Sequence, residues 1–150
     1  MKEFKTITNT VRLPHKYGAG PVFTEFYAGL RAGKIMANVC PKCKRTYVPA
    51  RSICPECLVK MDKWVELSGK GEVVSWAFTD KPFFGSPCEP PFIAALIRLS
   101  GTDCDFLHLI GGADLKTLSK KLKKGLKVKA VFSDEKKGHM LDIKYFEPVR

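Results

Sequence analysis

The chain is short of acid, short of histidine and short of long apolar runs. Its 15 Asp and Glu stand against 26 Lys and Arg, a formal charge of +11, so an acidic partner is expected: nucleic acid, a polyphosphate nucleotide, an acidic protein or a membrane surface. The longest apolar stretches are only a few residues, as in Phe92 to Ile97, which excludes a membrane-spanning helix. The first residues, MKEFKTITNTVRLP, carry Lys2 but no apolar segment behind it, so no secretory leader is read there. With free thiols implied, a cytosolic location is expected. The three histidines, His15, His108 and His139, are isolated, and none shares a motif with a serine or cysteine nucleophile. A phosphate-binding loop and a dinucleotide fingerprint are also missing. No catalytic centre of the chain's own is expected.

What is present begins with cysteine. Cys40, Cys43, Cys54 and Cys57 form a C-x2-C-x10-C-x2-C array, whereas Cys88 and Cys104 stand alone. Two thiolates separated by two residues fold over one ion at Zn–S distances of roughly 2.3 Å, and a second pair closes the shell. The spacing predicts a structural Zn2+ site with no position left for water or substrate. Iron in a four-thiolate site is not separated from zinc by spacing alone, although zinc is the usual occupant of such ribbons. Cys88 reads as an ordinary loop residue and Cys104 as a small packing residue.

A length of 150 residues with 45% hydrophobic content suits one compact domain carrying a small module. The predicted organisation is an N-terminal arm and helix over residues 1–34, a zinc ribbon over 35–67 and a barrel over 68–150. In the arm, Phe4, Ile7 and Val11 alternate weakly, leaving room for a short strand. Phe23, Phe26, Tyr27 and Leu30 fall on one helical face, and Gly33 supplies the left-handed stop. That face is expected to pack into the core or to dock a partner. Residues 63–67, with Gly69, Lys70 and Gly71, read as the join into the barrel.

Beyond the ribbon, period-two alternation and β-branched content predict strands at Glu72–Phe78, Phe92–Leu99, Cys104–Ile110, Val128–Phe132 and Met140–Phe146. Between the third and fourth, Leu115, Leu118 and Leu122 take helical spacing, with Asp114 as N-cap and Gly125 as stop. The fold class expected is therefore mainly β: an N-terminal helix, a rubredoxin-like zinc ribbon and a five-stranded OB-fold barrel with a helix between strands 3 and 4. The lysines Lys116, Lys120, Lys123 and Lys127 roughly follow one face of that helix, as a solvated surface requires or as polyphosphate would use. His108, alternating with Leu107 and Leu109, is expected at the surface or in a pocket.

The loop Thr79–Pro91 joins the first two barrel strands, where OB-folds commonly meet ligands. Phe83 and Phe84 beside Gly85, framed by four prolines, would make a stiff apolar wall. A single-strand nucleic-acid binder is the alternative reading, since zinc ribbons and OB-folds both serve that purpose. It asks for exposed aromatics on the second and third strands, where Phe92, Phe106 and His108 are the candidates.

Taken in order, Phe26-Tyr27-Ala28-Gly29-Leu30 with Gly33, Cys40-Pro41-Lys42-Cys43, Pro49, Arg51, Cys54-Pro55-Glu56-Cys57, Trp64 to Gly71 and Pro90-Pro91-Phe92 resemble the zinc-ribbon/OB-fold acyl-CoA-associated family. The resemblance covers about residues 21–147. It departs at Lys44, where members often carry glycine, and at Ala50, in place of a second proline. The resemblance implies a non-catalytic subunit that binds acyl-CoA or CoA beside a thiolase-fold enzyme and helps assemble the complex. Benzoylsuccinyl-CoA thiolase of anaerobic toluene breakdown is one such partner. If the chain binds CoA, charge and loop position suggest that Arg51 and Lys81 hold the phosphates and that Phe83 and Phe84 wall the pantetheine, while the helix Phe23–Leu30 would dock the partner.

Overall fold

A computed structural model describes residues 5–9, 13–14, 16 and 18–149; Phe4, Val11 and His15 lie outside them. Helix α1 runs Gly20–Arg31. It starts earlier than the aromatic face suggests because Pro21, in its first turn, has its φ already set for a helix and no N–H to lose. Phe26 and Leu30 are fully buried, Tyr27 is half-buried and Phe23 stays exposed. Gly33 ends the helix at φ +76, its N–H bonded to the Leu30 carbonyl at 2.9 Å.

Strands β1 (Ile35–Val39), β2 (Thr46–Tyr47) and β3 (Lys63–Leu67) form an antiparallel sheet in the order β2-β1-β3. Residues 63–67, expected as a join, are thus a full strand, paired from Ile35 opposite Leu67 to Val39 opposite Lys63. Gly69 takes φ +70 in the turn that follows. Gly71 is required for a different reason. A Cβ there would sit 2.5 Å from the Arg98 carbonyl oxygen, so only hydrogen lets the first barrel strand lie this close to its neighbour.

The barrel closes in the order β4-β5-β6-β8-β7, built from β4 (Lys70–Thr79), β5 (Phe92–Leu99), β6 (Asp105–Ile110), β7 (Lys127–Phe132) and β8 (Ile143–Pro148). The third and fifth strands of the barrel run parallel, with Ile110 opposite Phe146. Helix α2 (Leu115–Lys121) connects the third and fourth, and Leu118 joins the core. This is the five-stranded OB arrangement. Inward residues of the barrel such as Val73, Ile97 and Phe106 share one continuous apolar core with Phe26 and Leu30 of α1 and Ile35 of the ribbon.

Two local expectations are corrected and a third is narrowed. Helix α2 stops at Lys121 and not at Gly125, because Leu122 turns extended while Gly125 donates to the Val73 carbonyl at 2.8 Å and starts the β7 ladder early. Residues Met140–Asp142 form a 3-10 helix before β8, not the start of the strand. The buried Asp142 carboxylate enforces this by accepting the N–H groups of Lys137, Gly138 and His139 at 2.7–3.1 Å. His108 faces opposite to Leu107 as expected, and of the two places expected for it, surface or pocket, it takes the second: the histidine points inward and lines a cavity while Leu107 is exposed. Its ring is satisfied there: Nδ1 accepts the Leu109 N–H at 2.9 Å and Nε2 donates to the Met140 carbonyl at 3.1 Å.

Candidate metal centre and ligand loop

The two cysteine pairs fold as matching knuckles. After the first, the Lys44 N–H bonds the Cys40 carbonyl at 3.0 Å; after the second, the Leu58 N–H bonds the Cys54 carbonyl at 2.9 Å. Both turns end in the left-handed region, Lys44 at φ 64 and Leu58 at φ 56. Lys44 stands where the family resemblance leads one to expect glycine, and its amine offsets part of the strain by bonding the Pro41 carbonyl at 2.7 Å. Across the knuckles Arg45 pairs with Glu56 at 3.0 Å.

These turns bring Cys40, Cys43, Cys54 and Cys57 together, with all four sulfurs within 4.8 Å of one another. The Cys43 and Cys54 sulfurs are 3.8 Å apart. A tetrahedron with metal–sulfur bonds of about 2.3 Å has an edge of about 3.8 Å, so the donor set already has the spacing of a four-thiolate metal site. Cys40 and Cys54 are buried and Cys43 and Cys57 half-buried. Left to themselves, four thiols this close do not all ionise. Cys40 is lowered to about 6, burial being outweighed by the N–H groups of Cys43 and Lys42, while burial and the neighbouring sulfurs push Cys57 up to about 12. A divalent cation supplies the charge that makes all four thiolates.

Arg51 lies on the ribbon, its guanidinium 5.4 Å from the centre of the Tyr47 ring. Its backbone is pinned by the buried Asn38 side chain, whose Oδ1 accepts the Arg51 N–H at 3.1 Å and whose Nδ2 donates to the Arg51 carbonyl. Lys81, Phe83 and Phe84 belong to the loop between β4 and β5, as expected. The ribbon meets the barrel through Asp103 and Cys104, beyond the Leu99 end of β5, whereas the loop leaves from the Phe92 end. Seven strand steps at about 3.3 Å separate those ends by about 23 Å. Arg51 and the loop residues are therefore not gathered into one local site.

Within the loop, Phe83 and Phe84 part company. Phe84 is fully exposed, while the Phe83 ring packs 6.2 Å from that of Phe92 and roofs an apolar cavity of about 390 Å³. Its lining includes Pro87, Leu107, Leu109, Met140 and Leu141, and its one polar side chain is His108, both of whose nitrogens are already bonded. The cavity therefore suits an uncharged, apolar group. Sequence reasoning found Phe83 and missed the Met140–Leu141 wall, because those residues read as strand. A larger groove of about 660 Å³ runs beside Asp134, Glu135, Lys137 and Lys144 and carries charges of both signs. Burial, then Glu89, raises the Cys88 thiol, in keeping with an ordinary loop cysteine. No helix among the described residues is long and apolar enough to cross a membrane.

Comparison with known proteins follows the same division. A family model described as the rubredoxin-like zinc ribbon domain of ChsH2 matches residues 28–62, and one described as the C-terminal OB-fold domain of ChsH2 matches residues 64–133. A chain of the Ltp2-ChsH2(DUF35) aldolase superposes with a TM-score of 0.62 over 83% of this chain and 92% of that one, at 22% identity, and shares the fold. A DUF35-family protein of unknown function from Sulfolobus solfataricus is 32% identical, with a TM-score of 0.59, over 75% of this chain and 78% of its own. With that identity over three-quarters of its length, and with the ribbon and barrel models matched in sequence order, the chain belongs to the DUF35 family.

Proposed function

We propose that the chain is a zinc-bearing, non-catalytic subunit of a thiolase-type acyltransferase complex, where it helps to bind acyl-CoA and to assemble the enzyme. The observation that carries this reading is the likeness, over 92% of its length, to a chain from an assembly named as an Ltp2-ChsH2(DUF35) aldolase, a pairing of two proteins in one enzyme. An aldolase breaks a carbon–carbon bond, as a thiolase does, and the family resemblance of the sequence points to thiolase-fold partners. Benzoylsuccinyl-CoA thiolase is the specific instance that resemblance suggests. The zinc would be held by Cys40, Cys43, Cys54 and Cys57 and would supply structure, since four thiolates leave it no open position. Its reduced thiols suit a reducing compartment such as the cytosol.

For CoA, the apolar cavity under Phe83 suits the uncharged part of the thioester, with Lys81 in the same loop for a phosphate. Contact with Arg51 as well would require the cofactor to run the length of β5. Alanine at Phe83 and Phe84 in the assembled complex should raise the KM for acyl-CoA with little change in kcat; an unchanged KM would remove the loop from the binding site. The nucleic-acid reading loses its stacking platform, because Phe92, Phe106 and His108 are 5, 1 and 6% exposed and no base could lie on them.

A further inference from the structure

Strand β4 is longer than the barrel that uses it. Its first residues pair with β7 only from Lys70 opposite Lys129 to Glu72 opposite Lys127, and Val73 then exchanges hydrogen bonds with Gly125 and Leu126 at 2.8 and 2.9 Å. At that point the other chain turns away toward α2. From Ser75 to Thr79 the strand pairs with β5 on one side, from Ser75 opposite Leu96 to Thr79 opposite Phe92, and among the described residues nothing pairs with its other edge.

Two further features set this edge apart. A bulge between Val73 and Ser75 shifts the register, so Trp76 faces with Ala95 and Phe78 with Ile93. Ala95 and Ile93 are buried, yet Trp76 and Phe78 are each 37% exposed on that same face. They carry core chemistry where the barrel wall has run out. The second feature is composition: Val74 to Thr79 reads VSWAFT, without charge, proline or glycine. Native sheets ordinarily blunt an open edge with lysine, proline or a covering element, because its outward N–H and C=O groups template another strand. Here the blunting residues are missing from the strand itself.

We propose that the Val74–Thr79 edge of β4 is a docking site for an extended segment of a partner protein, which adds as a strand to the barrel sheet and covers Trp76 and Phe78. The chemistry of the edge selects an extended backbone, since only a strand meets a row of alternating donors and acceptors. Its uncharged side chains select an uncharged, β-branched middle. The charge at its Val74 end selects an acidic end there: Lys123 and Lys124 lie just before Gly125, where the β7 ladder stops, while Asp80 followed by Lys81 leaves the Thr79 end balanced, and the whole chain is at +11. The same charge opposes edge-to-edge pairing of two copies. The inference is independent of CoA binding and of the partner's reaction.

The test uses the full zinc-loaded chain and a synthetic probe, acetyl-Glu-Glu-Val-Thr-Val-Thr-Val-Glu-Glu-amide, read by hydrogen–deuterium exchange. Expected is a tenfold or greater slowing of the outward amides within Val74–Thr79, with a lysine-flanked version binding at least tenfold more weakly and a version with proline at the central valine giving no protection. Trp76→Lys with Phe78→Lys should abolish the effect while the Ile93–Leu99 amides keep their wild-type exchange, which reports an intact barrel. No slowing at millimolar acidic peptide, or equal slowing by the proline peptide, would overturn the proposal. So would outward amides that are already slow in the chain alone: protection that grows with protein concentration would assign the edge to a second copy, and protection independent of concentration to the chain's own N-terminal residues.

Discussion

Val48 and Cys104, 56 residues apart, are bonded twice: the Val48 N–H donates to the Cys104 sulfur and the Cys104 thiol donates to the Val48 carbonyl, both at 3.2 Å. Beside them Asp103 repeats the pattern with Thr46, accepting its N–H on Oδ2 at 2.8 Å and donating its own N–H to the Thr46 carbonyl at 3.0 Å. These four bonds attach the ribbon to the loop between β5 and β6. Asp103→Ala removes a charge-assisted bond and leaves the Thr46 N–H without its partner, and should cost about 1–3 kcal/mol. The check is chemical denaturation of the zinc-loaded chain, where Asp103→Asn should recover part of the loss.

The two left-handed knuckle residues carry a second prediction. Leu58 is largely exposed at φ 56, so Leu58→Gly gives up little packing and relieves a conformation that costs about 1 kcal/mol in an L-residue. Stability of the zinc form should rise by up to about 1 kcal/mol. Lys44→Gly should gain less, since it also loses the bond to the Pro41 carbonyl. Thermal melts of the three proteins at one zinc concentration decide it.

Removing the metal should act far more strongly than either change. Structural zinc in small ribbons contributes about 10–16 kcal/mol, so a chelator should unfold residues around the knuckles and release one zinc per chain. Loss of amide protection at Cys40–Leu58, with the barrel strands still protected, is the expected exchange pattern. An unaltered ribbon after chelation would contradict a metal-built module.

Gly71→Ala should destabilise the chain by more than about 2 kcal/mol, because the new methyl meets backbone at 2.5 Å, which no side-chain rotation relieves. Gly29→Ala is the control. Its Cβ would also meet an atom at 2.5 Å, but that atom is the Met36 Cγ, which a change of the methionine χ1 rotamer moves where backbone cannot move, so the cost should be smaller.

Acid should loosen the barrel in two stages. Burial beside the Phe106 and Phe146 rings lowers the His108 pKa below its ordinary 6.5, and the folded state prefers the neutral ring. Its contribution is complete above about pH 6.5 and is lost as pH falls toward the depressed value. Burial of Asp142 opposes ionisation, but three backbone N–H groups win and hold it below its ordinary 3.8, so its contribution is lost only in stronger acid. Melting temperatures from about pH 7 to 5 should fall in the wild type and stay flatter in His108→Phe, whatever the absolute stability of the variant.

Much of this architecture was legible in the sequence because its signals are local. Cysteine spacing fixes the knuckles, Gly33 and Asp114 mark helix ends, and the alternation in Phe92–Leu99 defines a strand that the structure reproduces residue for residue. What periodicity left open or misread shares one cause, which is that hydrogen bonds it does not report, near or far in sequence, decide the outcome. Alternation says that His108 and Leu107 face opposite ways, but which is inside depends on Met140 arriving to accept the imidazole N–H. The pattern from Met140 to Phe146 looks like strand until Asp142 gathers three N–H groups and forces a turn. The same holds for the candidate site: the four cysteines announce themselves, whereas the cavity under Phe83 has walls from β5, β6 and the 3-10 helix that no single segment encodes.

An auxiliary subunit of a thiolase-type enzyme travels with its enzyme, so the decisive measurement is purification of the tagged chain from its source cells, with mass spectrometry of what accompanies it in fixed ratio. Expected is a thiolase-fold enzyme in stoichiometric amount, whose activity on its acyl-CoA falls when this chain is removed and returns when it is added back. Recovery of RNA or single-stranded DNA without such an enzyme, held with a log–log salt slope of several units, would contradict the auxiliary-subunit role.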